Sequence, residues 1–190
     1  MDTQLMIQST PNPNALKFVL NKTVKTEGNF TYKNASECEH NPLAKVLFDQ
    51  NSAIGEVYFF DNYITVTQDG SVDWDDIEED VRKKILEKID AHDPNFKTEE
   101  PKQESPVAAA SGPEIDKINT ILDQTVRPAL QMDGGDIQLL DYNKDKQLKV
   151  FYQGACGSCP SAASGTLSAI ENILRDQFDP DITVSMAENT

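Results

Sequence analysis

Cys156 and Cys159 are the residues whose type and spacing could do chemistry. They sit in Gly154–Ala155–Cys156–Gly157–Ser158–Cys159–Pro160, where an apolar strand-like run gives way to a helix-like one. A C-x-x-C pair has three sensible uses: a redox dithiol, half a zinc site, or half an iron–sulfur site. Two features of the setting favour thiolate over thiol. The positive end of the following helix lies close, and its unpaired backbone N–H groups can point at sulfur. Gly157 lets the loop curl so that both sulfurs face one point, and Pro160 suits a first helical position.

Counting ligands narrows the uses. Structural zinc and the common iron–sulfur clusters take four protein ligands, and this loop supplies two. The other candidates, Cys38, His40 and His92, all lie in the first half of the chain. Two copies related by a two-fold axis would give four thiolates with no further residue. A metal site built this way requires a dimer. It does not by itself choose between iron and zinc.

The elements that must position the pair form the second of two folded parts. Residues 94–112, PNFKTEEPKQESPVAAASG, have almost no large apolar side chain. Such a stretch cannot bury enough surface to offset its ordering entropy, and it reads as a flexible linker. Residues 113–190 open with an amphipathic helix carrying Ile115, Ile118, Leu122, Val126 and Ala129 on one face. Ile137–Leu140 and Gln147–Gln153 read as strands around the turn Asn143–Lys146. Pro160–Phe178 reads as a helix with Ala163, Leu167, Ile170 and Leu174 inward, and Ile182, Val184 and Met186 alternate as a last strand. The order is αββαβ.

Residues 1–93 read as another small α+β domain. Strands are predicted at Leu5–Ser9 and Ala15–Leu20, around the turn-forming Pro11–Asn12–Pro13–Asn14. A short helix is predicted at Asn41–Gln50. Val57–Phe60 and Tyr63–Thr67 form a hairpin about Asp61–Asn62. Trp74, Ile77, Val81, Ile85 and Ile89 recur at helical spacing, and the acidic run Asp73–Asp80 is a solvated helix start. Tyr58, Phe59, Phe60 and Trp74 read as core. No catalytic set is recognisable, so the protein is expected not to be an enzyme.

The net charge of −15 over 190 residues argues against a nucleic-acid binder and against docking on anionic lipid. No apolar run approaches a membrane span, and Met1–Asp2–Thr3–Gln4–Leu5 has no basic or long apolar leader. These features give a cytoplasmic expectation. Three cysteines without an export signal make a poor disulfide framework.

Three separated words now matter together: Gln124–Thr125–Val126–Arg127–Pro128, Asp133–Gly134–Gly135–Asp136, and Gly154 to Ser161. In that order they resemble the C-terminal domain of NifU-like (Nfu-type) iron–sulfur cluster proteins, over residues 113–186. Thr10–Pro11–Asn12–Pro13–Asn14–Ala15–Leu16–Lys17–Phe18, Pro42–Leu43–Ala44 and Tyr63–Ile64–Thr65–Val66–Thr67 resemble the N-terminal domain of the same family. The resemblance implies a [4Fe–4S] cluster, or a [2Fe–2S] one, bridging two chains of a homodimer. It implies Cys156 and Cys159 as the ligands, apo iron–sulfur proteins as recipients, and a donor or scaffold upstream. Cys38 is no part of the pattern and reads as a small buried or half-exposed side chain rather than a ligand. Asp133–Asp136 is either a helix stop alone or a loop lying beside the cysteines. Arg127 is either a surface or capping residue or the partner of Asp136. The competing readings of the pair are a thiol–disulfide oxidoreductase, with Cys156 attacking and Cys159 resolving, and a zinc-bridged interaction module.

Overall fold

Alternating apolar residues and β-branched runs build a sheet in the first part of the chain, and apolar stripes on two helices cover one of its faces. The computed structural model describes residues 2–96, 112–157 and 165–187. It divides into two compact units, Met1–Glu99 and Glu100–Thr190, both α+β. In the first, strands β1 (Leu5–Ser9), β2 (Ala15–Leu20), β3 (Asn29–Tyr32), β4 (Ile54–Phe60) and β5 (Tyr63–Gln68) form an antiparallel sheet in the order β1-β2-β5-β4-β3. Helices α1 (Pro42–Gln50) and α2 (Trp74–Lys88) bury Leu43, Leu47, Val81 and Ile85 in one core with Phe18, Val57, Phe59 and Ile64.

Local chemistry explains the boundaries. Asn41 caps α1 by accepting from the Ala44 N–H at 3.2 Å, and Pro42 occupies the first turn, where its missing N–H costs nothing. Asp75 and Asp76 face the positive end of α2, and Lys88 its negative end. Asp61 takes a φ of 42° in the turn between β4 and β5. Tyr58 and Phe59 are fully buried, while Phe60 and Trp74 are half-buried.

The first unit runs beyond residue 93. Phe96, which composition assigns to the linker, is buried in this core, and the Pro94 carbonyl accepts from the Thr26 N–H at 3.0 Å. One aromatic ring is enough to draw the chain in, because it buries large apolar area. Residues 97–111 lie outside the described residues.

His92 is wedged into the same place. Its Nε2–H donates to the Val24 carbonyl at 2.8 Å, and its ring stacks on Phe59 with centroids 5.6 Å apart. Desolvation, the largest influence, holds the imidazole below its ordinary value of 6.5, against a weaker upward pull from the Val24 bond. The unfolded chain therefore takes up the proton first as pH falls, and stability is lost from about 6.5 downward. Urea midpoints of the full chain, followed at the aromatic residues of the first unit, should decline across that range. The decline should flatten in His92→Gln, which keeps a donor but cannot titrate. An equal decline in the variant would remove His92 as the cause.

In the second unit, β6 (Gly135–Tyr142) and β7 (Gln147–Gly154) form an antiparallel hairpin. Strand β8 (Thr183–Met186) joins β7 in parallel, after a crossover through α5 (Leu167–Gln177). Ahead of them come α3 (Pro113–Thr125) and α4 (Arg127–Met132). Ile115, Ile118 and Leu122 pack with Leu148, Val150, Ile170, Leu174 and Ile182. The order αββαβ holds if α3 and α4 count as the one helix that the periodicity describes.

They are two helices because Pro128 has no N–H to give and its ring would strike the carbonyl four residues back. The chain breaks at Val126, and the break shifts the phase of the stripe. Ala129, expected inward, is exposed, and Leu130 is buried instead. The last strand also differs from its alternation: Ile182 is fully buried and Val184 half-buried, but Met186 is 42% exposed at the sheet end. Ala163 and the start of the helix expected from Pro160 lie outside the described residues.

Candidate functional site

The site begins where β7 runs out. Gly154 has a φ of 62°, a left-handed conformation that glycine adopts without strain, and it turns the chain back toward β6. The Gly157 N–H donates to the Gly154 carbonyl at 2.9 Å, closing the loop on itself. The Ala155 N–H donates to the Gly134 carbonyl at 3.2 Å, tying the loop to the Asp133–Asp136 segment. In the strand register Gly135 stands opposite Gly154. The second alternative for Asp133–Asp136 is thus the observed one: it lies against the cysteine loop.

Gly135 sets how close that approach is. A Cβ built there would lie 2.5 Å from the Cys156 sulfur, 2.7 Å from the Gln153 carbonyl oxygen and 3.0 Å from the Cys156 Cβ. The Cys156 side chain occupies the space that any other residue at 135 would fill. It is only 8% exposed, at the rim of the core that also contains Tyr152. Cys156 is in no disulfide. Cys159, with Ser158 and Pro160, lies outside the described residues.

Arg127 and Asp136 hold this arrangement from behind. Arg127 starts α4, and its Nε lies 3.3 Å from Asp136 Oδ1. Its Nη2 donates to Asn119 Oδ1 at 2.8 Å and to the Ile137 carbonyl at 3.1 Å, and its Nη1 pairs with Asp123. Asp136 Oδ1 also accepts from the Ile137 N–H at 2.7 Å, and Gln131 Nε2 donates to Oδ2 at 3.4 Å. One guanidinium thereby joins α3, α4 and the start of β6, with the turn Asp133–Gly134 fixed between them. It also neutralises the buried carboxylate of the residue next to Gly135, the glycine under the Cys156 sulfur. Arg127 is thus the partner of Asp136.

Among the described residues no three or more His, Cys, Asp or Glu side chains gather as a metal site. Cys38 is fully buried in the first unit, its Sγ donating to the Asn34 carbonyl at 3.3 Å. Burial, with Glu37 adding to it, pushes that thiol up to about 12, so it stays protonated and a poor ligand. His92 is engaged with Val24, and His40 Nε2 lies 2.9 Å from the Tyr32 hydroxyl. Tyr152, for which the sequence carried no functional expectation, is buried in the same cluster as Cys156, and its hydroxyl has no hydrogen-bond partner among the described residues. Its inward position follows from alternation with Leu148 and Val150, but its unpaired oxygen has no signal in sequence.

Comparison with known proteins gives the same division of the chain. A family described as scaffold protein Nfu/NifU N terminal matches residues 5–92, and the NifU-like domain matches residues 118–185, which contain both Cys156 and Cys159. NifU-like protein 4, mitochondrial, of Arabidopsis thaliana is 31% identical over 179 residues, covering 90% of this chain and 61% of its own length. The NFU1 iron-sulfur cluster scaffold homolog, mitochondrial, of Drosophila grimshawi is 30% identical, covering 90% of this chain and 57% of its own. The chain thus spans about three-fifths of the length of these relatives. A solution structure of a NifU-like protein from Saccharomyces cerevisiae covers 51% of this chain and 86% of its own, at 24% identity and a TM-score of 0.45. The two domain matches account for most of the sequence, and the chain belongs to the Nfu-type family of NifU-like scaffold proteins.

Proposed function

We propose that this protein carries an iron–sulfur cluster, of the [4Fe–4S] type, between two copies of its second unit, and passes it to apo-proteins. The observation that carries the reading is the seat of Cys156: a thiol at the rim of the core, in a loop pinned to Gly134 and packed against a glycine that leaves its sulfur room. The names of its relatives, as scaffold homologues, favour the same role. Cys156 and Cys159 of each copy would supply the four thiolates that such a cluster takes. Two ligands per chain make the cargo easy to release. A recipient thiol forms an Fe–S bond as the bond to Cys156 or Cys159 breaks, and its proton passes to the departing thiolate. No electron is gained or lost in that exchange, so no catalytic residue or reductant is required.

Anaerobic reconstitution tests this. Cys156→Ser and Cys159→Ser should each abolish retained iron and visible absorbance, while Cys38→Ser should keep both. Light scattering should show the mass doubling on loading, because whatever binds only the dimer draws monomers into it. A full cluster on a monomer would overturn the shared site. A colourless protein that binds zinc, or one that reduces insulin disulfides without metal, would replace this reading with one of its competitors.

A further inference from the structure

Strand β7 sends Leu148, Val150 and Tyr152 into the same core, and Cys156 joins them there after the turn at Gly154. Two of those strand positions carry no polar side-chain atom; Tyr152 carries a hydroxyl. The residue is 2% exposed, and its oxygen is buried with no hydrogen-bond partner among the described residues. Folded proteins pair almost every such group, so an exception calls for an explanation. Phenylalanine would fill the same space without the desolvation cost of a stranded hydroxyl.

The surroundings supply that explanation. Cys156 packs in the same buried cluster as Tyr152. A phenol keeps its proton at neutral pH and can donate to an anionic sulfur. The Tyr152 backbone lies against the cysteine loop: a Cβ at Gly157 would lie 3.1 Å from the Tyr152 carbonyl oxygen. We propose that Tyr152 is a positioning residue of the cargo site, whose hydroxyl donates a hydrogen bond to a sulfur there, thiolate or sulfide, once Cys156 is a cluster ligand. The inference rests on the function proposed above. Hydrogen bonds to cluster sulfurs stabilise the negative charge on them, and here one would also fix the orientation of Cys156.

Tyr152→Phe keeps the ring and removes only the hydroxyl, so its effects in the apo and loaded full-length protein separate the roles. The apo variant should be at least as stable to urea as the wild type, because it loses an unpaired buried group. The loaded variant should release iron to a chelator between about twofold and tenfold faster, the scale of one hydrogen bond. Its Fe–S(Cys) stretching bands should shift in resonance Raman spectra. Equal destabilisation of both forms would make the hydroxyl merely structural and overturn the proposal. A loaded variant indistinguishable from a loaded wild type would overturn it while leaving the carrier function intact. A wild type that takes up no cluster would overturn both.

Discussion

Gly135→Ala should cost the second unit about 1–3 kcal/mol, the usual penalty for overpacking, and cut retained iron by more than tenfold. The new methyl would meet the Cys156 sulfur at 2.5 Å and the Gln153 carbonyl at 2.7 Å. The sulfur can swing aside, but then it leaves the place from which the proposed cluster would be held. The carbonyl belongs to the paired strand, and moving it opens the register between β6 and β7 beside Gly154. The two losses have separate measures: urea midpoint of the apo-protein for packing, iron per chain after reconstitution for the site. Gly157→Ala, whose nearest contact is longer at 3.1 Å, should be milder on both. A Gly135→Ala protein with wild-type stability and a full load of iron would show that the close approach has no bearing on cargo.

Arg127→Ala should be the most destabilising single change in the second unit, at roughly 3–5 kcal/mol, because it leaves a buried carboxylate without its countercharge. Asp136 has only 6% of its side chain exposed, and it also accepts from the Ile137 N–H and the Gln131 amide. Arg127→Lys should recover only part of the loss. A single ammonium cannot reach Asp136, Asn119 and the Ile137 carbonyl together, as the planar fork does. Removing both partners, as in Arg127→Met with Asp136→Leu, should cost less than removing the arginine alone. Chemical denaturation of the four proteins forms a double-mutant cycle, and strict additivity would show that the pair is not coupled.

Much of the site was legible before any coordinate. Glycines at 134, 135, 154 and 157 stand near Cys156 in two separated words, and glycine is what lets two backbones and a sulfur share one space. The apolar stripes locate α2, α3 and α5, and strand-like apolar runs locate β2, β5 and β7. Less visible were features whose cause is tertiary. Strand β3, Asn29–Tyr32, is four residues of mixed polarity and exists because β4 offers it an edge. Phe96 reads as linker because its neighbours are polar, yet one aromatic finds a place in the core. The break at Val126 follows from Pro128, but the apolar positions on either side keep near-helical spacing and mask it. Whether Arg127 faced solvent or Asp136 could not follow from spacing, since the pair is brought together by that same break.

The break has a dynamic consequence. Six residues are far too few for a helix to persist in water by its own hydrogen bonds, where about 12–15 are marginal. Helix α4 therefore keeps its shape only while it is clamped at both ends, by the guanidinium of Arg127 and by the turn through Gly134. Its amide protons should exchange with solvent through a local opening of those clamps rather than through unfolding of the whole unit. Deuterium uptake along Leu130–Met132 is then a gauge of the cysteine loop seen from the other side. It registers how often the floor beneath Cys156 gives way, even in protein that carries no colour at all.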